Sequence, residues 1–163
     1  MIELRSHSPQ DTRAIAAAVA ELARPGDLIV LAGQMGAGKT AFAQGFARAL
    51  GIDEPVTSPT YTLVHTYQTG ATTLHHADLY RLEHTAEVAD LGLDELREDD
   101  AIVLVEWGDV VDLGPQLQIE LRVDDVPDDG QLDARDIAVT ASDRRWSSRW
   151  ERLVASLEPW AAS

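Results

Sequence analysis

One segment constrains this chain more than any other: Gly33-Gln-Met-Gly-Ala-Gly-Lys-Thr40. It follows a short apolar run, Leu28–Ala32, flanked by Asp and Gly, which reads as a buried strand. It precedes a stretch with Phe42, Phe46 and Leu50 on one helical face, ended by Gly51. Strand, glycine loop with a Gly-Lys-Thr ending, and helix together are the context that a phosphate-binding loop requires. Glycines let the backbone curl so that successive N–H groups face phosphate oxygens, and the helix N-terminus adds unsatisfied donors and the positive end of its dipole. Lys39 would reach the β- and γ-phosphates, and the Thr40 hydroxyl would coordinate Mg²⁺. The competing reading is a glycine-rich turn with no ligand. The pattern arises by chance in about one chain in 200 of this length, and the flanking strand and helix lower that further. The implied ligand is a nucleoside triphosphate, ATP with Mg²⁺.

Such a site needs a second metal ligand, usually an acid at the end of a buried strand. Asp78 follows Thr72–Ala77 in HHADLYRL, and Glu106 follows the more apolar Ala101–Val105 in VLVEWGD. Hydrophobicity favours Glu106 for direct or water-mediated contact with Mg²⁺, with Asp78 left to position water, Lys39 or Thr40. Either acid alone also reads as a helix or turn cap. Thr57-Ser-Pro-Thr60 offers hydroxyls to a γ-phosphate as a switch loop, although unaided it reads better as an ordinary Pro–Ser turn. Arg81 would stabilise phosphate charge or pair with nearby carboxylates. His75 and His76 are adjacent, so in a strand they face opposite ways and do not form a metal pair. Trp107 points opposite to Glu106 if the strand persists, as packing or as an aromatic lid. Trp146, Trp150 and Trp160 read as packing of a C-terminal helix.

The remaining elements follow from punctuation and period. Pro9–Ala23 predicts a helix, with Ile15, Val19 and Leu22 on one face, Ser8 as N-cap and Pro25-Gly26 as the stop. Thr60–Gln68 and Thr72–Ala77 predict a hairpin around Gly70. His84–Leu96 is weakly helical. Gln118–Val123 and Asp136–Thr140 predict strands joined by the polar turn Pro127–Gly130, and Arg144–Leu157 a helix. The fold class is α/β: a mixed central sheet flanked by helices in one domain over residues 1–163.

Net charge is −15, from 28 acidic and 13 basic residues. So acidic a surface repels nucleic acid and anionic membrane. The single lysine is Lys39, and there is no cysteine, hence no disulfide, thiolate metal site or thiol nucleophile. MIELRSHSPQD lacks the order of a signal peptide, and the apolar runs are too short to span a bilayer. The expectation is a soluble, cytoplasmic protein.

Four separated segments, PGDLIVLAGQMGAGKTAFAQGFARALG, VTSPTYTLVHTY, HHADLYRL and DDAIVLVEWGD, lie in an order and spacing that resemble the TsaE (YjeE) family over Pro25–Asp109. The first segment alone indicates only a P-loop NTPase; TSPTYTLV, DLYRL and VEW carry the specificity. The resemblance implies a P-loop ATPase of tRNA threonylcarbamoyladenosine (t6A) biosynthesis. It would act with TsaD-like and TsaB-like partners, which transfer the threonylcarbamoyl group to adenosine 37 of tRNA, and touch tRNA only through that complex. It also implies that Thr40 and Glu106 hold Mg²⁺ and that Met35, Gly36, Ala37, Gly38, Lys39 and Thr40 wrap the phosphates. Asp78 would be a catalytic acid on the phosphate side, Ser58 and Thr60 would lie in the switch loop, and Trp107 would stand beside the nucleotide. Relatives usually carry Asp-Leu at Gln34-Met35, a proline at Gly108, and Thr or Ser at Ala41. Two other functions remain open. A small-molecule kinase would carry an Arg-rich lid, and residues 107–135 hold only Arg122 and Arg135. An ATP-dependent binding switch would lack significant turnover.

Overall fold

In the computed structural model, the described residues are 1–57, 64–70, 72–79, 92–98, 100–107, 113–123 and 133–163. Their strands are β1 (Ile2–Ser6), β2 (Leu28–Ala32), β3 (Val64–Gln68), β4 (Thr73–Asp78), β5 (Ala101–Glu106), β6 (Leu117–Val123) and β7 (Arg135–Ala141). The α-helices are α1 (Pro9–Leu22), α2 (Lys39–Ala49), α3 (Leu93–Glu98) and α4 (Trp150–Leu157). The strands form one sheet in the order β1-β7-β6-β2-β5-β4-β3. β6, β2, β5 and β4 run parallel, while β3, β7 and β1 join through antiparallel pairs. β2 and β5 are buried at every residue, as interior parallel strands covered on both faces must be.

Each sheet face has its own apolar cluster. Ile29, Leu31, Leu74, Ile102 and Leu104 face α1 and α2, with Ile15, Val19, Phe42 and Phe46 packed against them. Val30, Ala77, Val103 and Val105 face the other way, and Leu93 and Leu96 of α3 pack there. The period of two along β4 and β5 therefore puts His76, Asp78 and Glu106 on the face of α1 and α2.

Ser8 caps α1 as its sequence indicates: the hydroxyl accepts from Asp11 N at 3.1 Å, a contact of about 1 kcal/mol. Two elements differ from expectation. The C-terminal segment is not one helix. A 3₁₀ turn, Arg144–Trp146, precedes α4, because Asp143 accepts from Arg145 N while Arg149 is drawn into a buried ion pair with Asp27. Trp146 is fully buried, and Trp150 and Trp160 pack against the core, in keeping with their reading as packing residues. β1 was not anticipated; it pairs with β7, and its outer edge is met by the chain near Ala161. Of the weakly helical segment, Leu93–Leu96 lies in α3, and residues 84–91 fall outside the described set. So do Ser58, Thr60, Arg81, Gly108 and the turn at 127–130. Among the described residues, no helix is long and apolar enough to cross a membrane.

Candidate nucleotide site

The glycine loop leaves the C-terminal end of β2, the central parallel strand, where ligands of open α/β sheets bind. Gly33 has φ +143, and a Cβ there would lie 2.5 Å from the Leu121 carbonyl oxygen of β6, so only glycine fits. Gly38, φ +103, is the residue before α2, and a glycine offers no side chain to cap that helix. The first N–H groups of α2 thus open toward the loop, the arrangement that receives anions.

Arg135, at the start of β7, braces the loop from across the sheet. Its Nε donates to Ala37 O at 3.2 Å and its Nη2 to Gly36 O at 3.3 Å. A peptide unit held by its carbonyl on one side points its N–H to the other. Nothing local in the sequence signals this contact, which spans 98 residues.

Lys39 is 5% exposed. Its Nζ donates to Gly33 O at 2.6 Å and Gln34 O at 2.8 Å, and lies 3.8 Å from the Trp107 ring centroid. The ammonium thus sits among loop carbonyls and an aromatic face, groups that a phosphate oxygen would displace or supplement. Gln34 contributes to the loop through its carbonyl, which also accepts from Ala37 N at 3.1 Å. Its side chain is exposed, as is Met35.

A cavity of about 360 Å³ gathers the expected residues. Met35, Gly36, Gly38, Lys39 and Thr40 form the loop wall, with Asp78, Glu106 and Trp107 opposite. Asp78 and Glu106 are register partners at the ends of parallel strands β4 and β5. The end of β5 is pinned from both sides, by Leu79 N to Glu106 O at 3.1 Å and Trp107 N to Leu31 O at 2.9 Å. The strand does not persist through Trp107, which has φ +64. Its ring packs against the second cluster, in keeping with the packing role weighed for it, and also reaches Lys39. A larger cavity, about 650 Å³, opens between α1, α2 and residues 52–57. It holds neither the loop nor the acids, so size alone does not locate the chemistry.

Glu106 is 2% exposed, and its Oε2 lies 2.7 Å from His76 Nε2. His75, on the other face, bonds Thr66 instead, Nδ1 to Oγ1 at 2.9 Å. The two histidines do diverge, but His76 meets the acid at the head of the site. The signal for that was available: His76 and Asp78 share a face by the period of two, and Glu106 ends the neighbouring strand.

Hard oxygen donors suit Mg²⁺, which keeps several waters and takes few protein ligands. The Thr40 hydroxyl and the Glu106 carboxylate line the same cavity as the loop, so the residues present fit a cation held jointly with phosphate. Among the described residues, no group of three or more His, Cys, Asp or Glu is placed to hold a metal ion.

The family model described as "Threonylcarbamoyl adenosine biosynthesis protein TsaE" matches residues 6–135. The chain is 39% identical over 153 residues to the tRNA threonylcarbamoyladenosine biosynthesis protein TsaE of Bacillus subtilis, covering 93% of each. It is 42% identical over 106 residues to that of Treponema pallidum (65% of this chain, 78% of the other), and 37% identical over 134 residues to that of Streptomyces coelicolor (80% and 90%). Among solved structures it is similar to Bacillus subtilis YdiB, with a TM-score of 0.78 and 34% identity over 95% of this chain and 97% of that one.

Proposed function

Because the chain belongs to the TsaE family of threonylcarbamoyl adenosine biosynthesis proteins, we propose that it is a Mg²⁺-dependent ATPase serving tRNA t6A modification in the cytoplasm, slow alone and stimulated by TsaD-like and TsaB-like partners. The observation that carries the reading is the convergence of Lys39, Thr40, Asp78 and Glu106 on one cavity at the end of β2.

In this reading the loop N–H groups and the start of α2 bind the phosphates, and Lys39 leaves Gly33 O and Gln34 O to pair with β- and γ-oxygens. Thr40 and Glu106 hold the cation, which neutralises phosphate charge when bound. Asp78 orients the attacking water and accepts its proton. Ser58 and Thr60 contribute hydroxyls from the switch loop. The kinase alternative has less support, since Arg122 is engaged by Glu120 at 2.9 Å and Arg135 by loop carbonyls. Neither arginine is disposed as a lid over the phosphates.

The test is a pull-down of TsaD-like and TsaB-like proteins on the nucleotide-loaded chain, with turnover measured alone and in the complex. The expected result is nucleotide-dependent association and faster hydrolysis in the complex. Lys39→Ala and Glu106→Ala should each abolish turnover; undiminished turnover in both sinks the site assignment. Association without hydrolysis would favour the binding switch.

A further inference from the structure

His76 is an odd residue to bury. Its side chain is 1% exposed, on the sheet face lined by Leu74 and Leu104, where a leucine would fill similar space with no polar atom to satisfy. Nε2 faces Glu106 Oε2 at 2.7 Å, and Nδ1 is buried with no hydrogen-bond partner among the described residues. A buried polar atom without a partner is destabilising, so the ring is a poor device for packing alone. A carboxylate oxygen only accepts, which makes Nε2 the donor and fixes the tautomer. Backbone bonds pin the end of β5, and the His76 bond engages one of the two carboxylate oxygens.

We propose that His76 is a positioning residue for the cation that accompanies the nucleotide: by donating Nε2–H to one Glu106 oxygen, it aims the carboxylate at the metal position beside Thr40. This rests on the reading of Glu106 as a metal ligand. Groups that orient a ligand in this way typically contribute 10–100-fold to metal affinity.

The experiment measures Mn²⁺ affinity of the full chain saturated with ADP, by electron paramagnetic resonance of free Mn²⁺. ADP affinity in excess EDTA is measured beside it, and a melting curve checks the fold. His76→Leu should weaken Mn²⁺ binding about 10–100-fold and leave metal-free ADP affinity within about twofold, a split that general loosening of the site would not give. His76→Gln, whose amide nitrogen reaches the Nε2 position, should recover most of the loss. His76→Asn, whose amide ends at the Nδ1 position, should not. If His76→Leu fails to fold, the Gln and Asn variants decide, and equal Mn²⁺ affinity in the two overturns the proposal. Unchanged Mn²⁺ binding in a folded Leu variant, or parallel loss of metal-bound and metal-free affinity, overturns it as well. If Glu106→Ala loses Mn²⁺ affinity while the His76 variants keep it, only the positioning role fails. A wild-type chain whose ADP complex takes up no Mn²⁺ overturns this proposal and the site reading together.

Discussion

Asp78 and Glu106 are chemically alike and adjacent in register, yet their surroundings differ. Glu106 is buried against His76, whereas Asp78 is only partly buried at the same cavity. The partly exposed acid is the better placed to meet a water and exchange its proton with solvent; the buried, oriented one is the better fixed ligand. Asp78→Asn should therefore lower ATP turnover by about 10²–10⁴-fold, the usual worth of a general base, while equilibrium nucleotide binding stays within a few-fold. A binding loss as large as the turnover loss would place Asp78 in ground-state binding instead. At this scale residue type and strand position sufficed to single out Lys39, Thr40, Asp78, Glu106 and Trp107, which line one cavity. The sequence was silent on the hold that Arg135 takes on the loop, since that depends on which strands lie side by side; the face His76 shares with Asp78 was readable, and its partner follows once β4 is known to lie beside β5.

The helices show how local signals and tertiary contacts divide the work. α1 is legible from Ser8, Pro9 and its apolar period, and its bounds are close to those read from sequence. α2 is legible for the same reason, but the closeness of its crossing with α1 is not. A Cβ on Gly45 would lie 2.5–2.9 Å from backbone atoms of Arg13, so the two helices approach nearer than any side chain allows. Gly45→Ala would gain helix propensity in isolation, by up to about 1 kcal/mol. Here the clash wins, and net destabilisation of about 1–3 kcal/mol is expected, read as a lower urea midpoint with an unchanged slope. A neutral or stabilising substitution would show that the two helices can separate at little cost. β1 carries its own signal, Ile2, Leu4 and Ser6 alternating with Glu3 and Arg5, but five residues are too few to assign without knowing that β7 lies ready to pair. The C-terminal helix was over-extended because helical composition continues through Arg144–Arg149 while Asp27, over a hundred residues away, dictates where Arg149 goes.

Across the whole molecule the two ends of the sheet have different chemistry. At the end holding the loop, the strands finish in acids and a glycine cradle. At the other end arginines hold the chain together. Arg149 meets Asp27 in a bidentate pair at 2.7 and 2.9 Å, also donates to Leu22 O, and lies over the Trp146 ring. Arg97 and Arg145 both donate to Gly26 O, and Arg97 also pairs with Asp143. Asp27 and Arg149 are almost wholly buried, so removing one leaves the other uncompensated. Asp27→Ala should cost about 3–5 kcal/mol of folding stability, and the double variant Asp27→Ala/Arg149→Leu should recover part of it. Differential scanning calorimetry of the three chains checks this; additive losses would show that the pair acts as two independent groups. Fold class and the position of the loop were legible at this scale because parallel strands advertise themselves as unbroken apolar runs. The clamp was not, because nothing local distinguishes Arg149 from an exposed arginine.

The burial of Lys39 has a practical consequence. It is the sole lysine of the sequence, so within these residues amine-selective acylation has one side-chain target, this ammonium. Lys39 is only 5% exposed, so the folded chain resists a side-chain label that the unfolded chain takes. The rate at which Lys39 takes the label thus reports opening of the phosphate loop, read at the one side chain whose release matters there.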